Sequence, residues 1–262
     1  MIKAVGFCVC VCLLSFGVGF GGAIFQSSDS AMASPNWTYE NETGPNYWSS
    51  LDTSFAACSN GLSQSPIDLT LATVADLPNP EFHYEPVPLN LLNNGHTVQV
   101  PYAPGSYILL DGQQYNLLQF HFHSPSEHAL NGKLQGAELH LVHQSESGEL
   151  AVVAVMLQPG ESDQAAMAFN TLSGNLPEKA GDKIRTGKMI NAQALLPSKT
   201  TTYRYSGSLT TPPCTESVSW LVMTEPVTLS IQQISEYERR LHNNHRPLQG
   251  INQRALQLDT SL

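Results

Sequence analysis

The chain has 262 residues, with 12 Lys and Arg against 22 Asp and Glu, for a formal net charge of -10. Hydrophobic residues make up 41% and charged residues 13%, which is enough apolar surface for a packed core and excludes a disordered acidic tail or a coiled coil. So few, dispersed cations form no phosphate-binding patch, so no nucleic-acid partner is expected.

The first thirty-odd residues stand apart. After Lys3, an uncharged apolar run covers 4–25, and a short polar stretch leads to Ala31-Met32-Ala33-Ser34-Pro35. A cationic start, an apolar middle and an A-x-A site describe a secretory signal over 1–33, cleaved after Ala33, with the mature domain over 34–262. A run of this length also has the reach of a membrane anchor, and the protein meets a membrane only if the leader is retained. Cys8, Cys10 and Cys12 lie inside the run and read as apolar filler. Without the leader, Cys58 and Cys214 remain. An even pair in an exported chain suggests one disulfide, and two buried free thiols are the alternative.

From Ile67 onward, short runs rich in Val, Leu, Phe and Tyr are bounded by Pro, Gly, Asn and Asp. Strands are expected over 96–101, 106–110, 115–123, 137–144 and 150–157, with turns at Asn94-Gly95, Asp111-Gly112 and Asn131-Gly132. Helical signals are few. One helix is expected over 162–172, from a Ser/Asp cap. Another is expected over 230–241, where Ile231, Ile234, Tyr237 and Leu241 recur at helical spacing. No repeat and no composition break follows Ser34, so the expectation is a single, mainly β domain with a few peripheral helices.

All nine histidines lie after position 80. In the strand ending at His123, residues two apart share a face, so His121 and His123 point one way with Gln119, and Phe120 and Phe122 point the other. In the strand over 137–144, Glu138, His140 and Val142 share one face and Leu139, Leu141 and His143 the other. A turn near Asn131-Gly132 returns the second strand beside the first, and three imidazoles converge. Three neutral His ligands with no fourth protein ligand describe a catalytic zinc, which keeps one position open. Gln119 and Glu138 each lie two residues from a ligand on its own face, placed to accept the other N–H of His121 and His140.

The residues QFHFH, SEH, AELHLVH and SGSLTTPPCTE, with GPNYW, GLSQSPID and NNGH in order before them, resemble the α-class carbonic anhydrases over 37–262. The resemblance implies a central twisted, mostly antiparallel sheet with small helices around it and a conical cleft ending at zinc. It implies reversible hydration of carbon dioxide to bicarbonate and a proton, through attack of hydroxide at the zinc. His121, His123 and His140 match the zinc ligands. Thr210 matches the threonine that orients the nucleophile, Glu127 the glutamate that accepts its proton, and His96 the proton shuttle. Val142, Val152, Leu209, Val218 and Trp220 match the carbon dioxide pocket. Tyr39, Asn94, Gln99 and Thr211 match a polar wall that orders water, although Gln99 stands where animal enzymes commonly have Asn. Cys58 and Cys214 match a disulfide of exported members, which implies a periplasmic or extracellular protein. Ser124-Pro125 after His123 resembles plant, algal and bacterial members, and Ser65-Pro66 and Pro212-Pro213 are expected cis. His128, His143, His242 and His245 are read as structural or surface residues.

Overall fold

The computed structural model describes residues 36–161 and 166–260, so the leader expected over 1–33 lies outside the described residues. The strands are β1 (Thr73–Ala75), β2 (Glu81–His83), β3 (Val87–Asn93), β4 (Val98–Pro101), β5 (Tyr107–Leu110), β6 (Gln113–His123), β7 (Ala129–Leu130), β8 (Lys133–Leu134), β9 (Ala137–Gln144), β10 (Leu150–Pro159), β11 (Lys183–Ile190), β12 (Thr202–Ser208), β13 (Glu216–Met223), β14 (Val227–Leu229) and β15 (Gln257–Asp259). The helices are α1 (Trp48–Leu51), α2 (Ala57–Asn60), α3 (Ala166–Ser173) and α4 (Ile231–Leu241). All five expected strands are present with small shifts at their ends. The start expected for the first helix falls on 162–165, outside the described residues.

One mixed sheet runs β1-β15-β12-β13-β10-β9-β6-β4-β3-β11, with β5 beside β6, β2 beside β5, and β14 beside β10. Most pairs are antiparallel, and β1/β15, β10/β13 and β10/β14 are parallel. Asp111-Gly112 joins β5 to β6 with both residues at positive φ, the geometry of a tight hairpin turn. Asn131-Gly132 also has positive φ at both residues, but the turn closes a separate two-stranded ribbon of β7 and β8. The return from β6 to β9 therefore passes through an extra small hairpin, a correction to the simple turn expected there.

Strands β9 and β10 are buried on both faces. On one face, Leu139, Leu141, Val153 and Val155 join a large core that α3 and α4 cover with Phe169, Ile234, Tyr237 and Leu241. The helical spacing in 230–241 thus marks the buried stripe, except that Ile231 is exposed. Ser230 caps α4, its hydroxyl accepting the Gln233 N–H and the Gln233 side chain accepting the Ser230 N–H. On the other face, Val142, Val152, Val218 and Trp220 form a smaller core. A third cluster of Trp48, Phe55 and the Cys58–Cys214 disulfide packs with Trp37 and Tyr39. Ser65-Pro66 and Pro212-Pro213 are cis, and so is Ser124-Pro125. Among the described residues, no helix is long and apolar enough to cross a membrane.

Candidate metal centre and active site

In the β6/β9 pair, His121 stands opposite His140 and His123 opposite Glu138. Gln99 on β4 flanks His121 from the other side. A bulge sets which way the histidines face. The register shifts between Leu117 and Gln119, which leaves Leu118 as an extra, exposed residue. Tyr115 and Leu117 enter the large core before the bulge, and Phe120 and Phe122 enter it after. Uninterrupted alternation would put His121 and His123 on the face of Leu117, inside that core. The extra residue reverses the phase and turns both imidazoles to the opposite face.

Ligand atoms of His121, His123 and His140 lie within 4.8 Å of one another. Each ring has one nitrogen already occupied. His121 Nδ1–H donates to Gln119 Oε1 at 2.9 Å, His123 Nδ1–H to the Asn244 carbonyl at 2.7 Å, and His140 Nε2–H to Glu138 Oε1 at 2.8 Å. That leaves Nε2, Nε2 and Nδ1 free with their lone pairs. His123 Nε2 is fully buried with no hydrogen-bond partner, an orphan that a metal ion satisfies. Burial holds all three imidazoles below their ordinary pKa, that of His123 at about 4, so they are neutral ligands at neutral pH. Three neutral nitrogens at this spacing fit a zinc ion.

Glu138 supports the cluster from below. Its Oε2 accepts the backbone N–H groups of Glu127 and His128, each at 2.8 Å, and its Oε1 accepts His128 Nδ1–H at 2.7 Å besides His140. His128 Nε2 lies 2.7 Å from the Tyr205 hydroxyl, which lies 2.8 Å from Ser65 Oγ. Ser65 and Ser208 are doubly joined, Ser65 N–H to Ser208 Oγ at 2.9 Å and Ser208 N–H to Ser65 Oγ at 3.1 Å. The metal cluster is thereby linked to the segment that carries Thr210.

Glu127 Oε1 accepts the Arg246 backbone N–H at 2.8 Å, and its Oε2 lies 3.6 Å from His123 Nε2. Thr210 lowers the pKa of the same carboxylate, whose Oε2 is buried with no hydrogen-bond partner. Burial pushes the Glu127 pKa up to about 7, against the opposing pull of His140, Thr210 and the Arg246 N–H. The Thr210 loop is fixed by Leu209 N–H to the Thr215 carbonyl at 2.9 Å, Cys214 N–H to the Thr211 carbonyl at 2.8 Å, and the disulfide at Cys214.

A cavity of about 290 Å³ opens at His121 and His140. Val142, Val152, Leu209 and Trp220 form its apolar wall, with Thr210 and Thr211 at its edge. Leu150 joins that wall, a residue the sequence reading did not single out. Val218 does not reach the cavity and packs behind it in the smaller core. Tyr39, Asn94, His96 and Gln99 are not on this wall. The Asn94 side-chain oxygen is occupied by the N–H groups of His96 and Thr97, each at 2.9 Å, and the buried Tyr39 hydroxyl has no hydrogen-bond partner. His96 stacks flat on Trp37, with ring centroids 3.7 Å apart and planes 6° from parallel, and burial lowers its pKa.

Besides Leu150, two contributors were not read from the sequence. Asn244 and Arg246 follow α4 in the polar run 242–246, which suggests a solvated tail, yet both are buried. The Arg246 guanidinium donates to the Cys58 carbonyl, the Ser65 carbonyl and Gln64 Oε1, each at 2.8 Å. A cation within a short polar run after an amphipathic helix is the only signal that the sequence offers. His128, read as a structural or surface residue, is buried and is the partner of Glu138.

Residues 43–260 match the model of the eukaryotic-type carbonic anhydrase family. A carbonic anhydrase of Nostoc sp. is 42% identical over 253 residues, which cover 92% of this chain and 93% of the relative. One from Pectobacterium carotovorum is 40% identical over 231 residues, which cover 87% and 93%. The solved structure of an α-carbonic anhydrase from Thermovibrio ammonificans with the inhibitor sulfanilamide superposes with a TM-score of 0.82 at 36% identity, over 86% of this chain and 100% of that one.

Proposed function

From the premise that the chain belongs to the eukaryotic-type carbonic anhydrases, we propose that His121, His123 and His140 hold a catalytic zinc, with Thr210, Glu127 and His96 serving the reaction. The protein is a carbonic anhydrase, a lyase that interconverts carbon dioxide and bicarbonate. The observation that carries the metal assignment is the buried, unpartnered His123 Nε2, at the point where the free nitrogens of three oriented imidazoles meet. Zinc bound there supplies the charge that brings the pKa of water to about 7, the value established for carbonic anhydrases as a class.

The chain's own residues do the rest. Gln119, the Asn244 carbonyl and Glu138 fix each imidazole's tautomer and tilt, which sets ligand direction before metal arrives. Glu127 Oε2, buried without a partner, is the acceptor available to the Thr210 hydroxyl; a hydroxyl that gives its hydrogen there keeps its oxygen as an acceptor toward the cavity and orients the attacking oxygen. Val142, Val152, Leu209 and Trp220 offer no hydrogen bonds to water, so an apolar substrate such as carbon dioxide displaces little there. His96, half-buried with a lowered pKa, releases a proton readily once it has accepted one.

His140→Ala should lose stoichiometric zinc after dialysis, by metal analysis, and nearly all carbon dioxide hydration. Full zinc occupancy with normal activity would overturn the ligand assignment. For localisation, the Cys58–Cys214 bond supports export to an oxidising compartment, periplasmic or extracellular. The mature protein recovered from cells should begin at Ser34; a retained Met1 would overturn cleavage.

A further inference from the structure

A second cavity, of about 620 Å³, opens beside His96. His96 does not line the cavity at the metal cluster, but it does line this one, and His242 lines it too. The arrangement is built from two elements. The His96 ring rests on Trp37, and the backbone carbonyl of His96 accepts the Asn244 side-chain N–H at 3.0 Å. That same Asn244 amide donates to the Phe122 carbonyl at 3.0 Å, so the segment following α4 is tied to both the His96 turn and strand β6. His242 is the first residue of that segment. It is exposed and sits in the left-handed region, at φ 50° and ψ 46°.

We propose that His242 is the next proton acceptor after His96, and that the proton leaves through this cavity. The proposal rests on the reading of His96 as the shuttle. A cavity of this size with a polar wall holds water, and imidazoles pass protons through water near neutral pH. Half-burial lowers the His96 pKa and favours release of the proton toward a more exposed base. Glu40 faces the cavity and draws a migrating cation. Arg240 and Glu178 also face it and offset each other at 3.4 Å, and Glu236 lies 2.9 Å from Arg240. Tyr39 has its pKa raised well above the usual phenol value by burial, so it stays protonated and does not compete. The step moves one proton from a ring nitrogen of His96, through water, to a ring nitrogen of His242 and then to buffer. No other bond changes.

The test is His242→Asn, because Asn tolerates the left-handed backbone and keeps the end of α4. In dilute buffer, carbon dioxide hydration should fall by roughly threefold to tenfold, less than the roughly 10²–10⁴-fold of a primary proton-transfer group. Isotope exchange between carbon dioxide and bicarbonate should be unchanged, and added imidazole should restore turnover. The double variant with His96→Ala should be no slower than His96→Ala alone, since the two act in series. Parent turnover for His242→Asn in dilute buffer, or additive losses in the double variant, would overturn the proposal. If His96→Ala itself leaves turnover unchanged, the shuttle reading has failed. If it lowers turnover while His242→Asn does not, only the relay has failed.

Discussion

Replacing Glu138 with Gln exchanges one oxygen for an amide nitrogen and removes one charge at nearly constant volume. The carboxylate is fully buried and accepts four hydrogen bonds, from the Glu127 and His128 N–H groups, His128 Nδ1–H and His140 Nε2–H. Burial alone would raise its pKa, but His128 and His140 outweigh that and hold the carboxyl well below the usual carboxylate range. The charged, acceptor-only form is therefore the one that satisfies the site. A Gln side chain has a single acceptor oxygen, so two of the four donors must face an NH₂ group. A buried donor left unpaired costs about 1–3 kcal/mol, so the metal-free protein should lose roughly 2–6 kcal/mol. For a domain of this size that lowers Tm by roughly 5–20 °C.

The amide has two possible orientations, and both weaken the metal site. With its oxygen toward the imidazoles, the N–H groups of Glu127 and His128 are stranded and the loop that carries Glu127 shifts. With its oxygen toward the backbone, His140 loses the acceptor that fixes its tautomer. Loss of such an outer partner lowers metal affinity about 10–100-fold, equivalent to roughly 1.4–2.7 kcal/mol. Competition against a zinc chelator of known affinity gives the binding change, and calorimetric melts of metal-free and zinc-loaded protein give the stability change. An unchanged metal-free melt with unchanged zinc affinity would refute the four-bond account of Glu138.

Two further outcomes follow from other parts of the fold. Reduction of Cys58–Cys214, which are 156 residues apart, should cost about 2–5 kcal/mol and lower activity before global unfolding; the Gln64 bond to the Cys214 carbonyl and the Arg246 bond to the Cys58 carbonyl remain, so unfolding on reduction alone, read by circular dichroism, would contradict that limit. Burial pushes the His143 pKa down to about 3, so between about 6.5 and that value the unfolded chain binds a proton that the folded chain does not. Stability should therefore fall as pH drops through this window, by at most about 5 kcal/mol. His143→Gln, which can still bond the Tyr84 hydroxyl now 2.9 Å from His143 Nε2, should flatten the acid limb of urea-unfolding stability, and an unchanged limb would exclude His143 as its source.

What could be read from the sequence was what repeats locally. Period-two alternation gave the strands around His121 and His140, the Gly turns gave the hairpin ends, and helical spacing gave α4. Short strands such as β1, β2 and β15 have three residues each, too few for any period to register. Gln119 and Glu138 were legible because each lies two residues from the histidine that it bonds. Asn244 was not, because it meets His123 across 121 positions and through its backbone carbonyl, which any residue carries. Arg246 meets Cys58 across 188 positions. Nothing local distinguishes such a residue from one facing solvent.

The bulge at Leu118 shows how a packing constraint produces the site. Strand β6 must keep large apolar residues in the large core along its whole length, with Tyr115 and Leu117 early and Phe120 and Phe122 late. Those two pairs are out of phase, so the strand can satisfy both only by inserting one residue between them. The insertion leaves Gln119, His121 and His123 on the other face, opposite a strand whose own inserted polar residues are Glu138 and His140. In β9 these two sit between Ala137, Leu139, Leu141 and Val142 in a strand buried on both sides. Polar groups there are tolerated only when each finds a partner. Glu138 finds four, and His140 finds Glu138 with one nitrogen, which leaves its other nitrogen with those of His121 and His123. The same apolar packing that forces the bulge in β6 therefore leaves three nitrogen lone pairs facing one point, where a single cation can satisfy all three together.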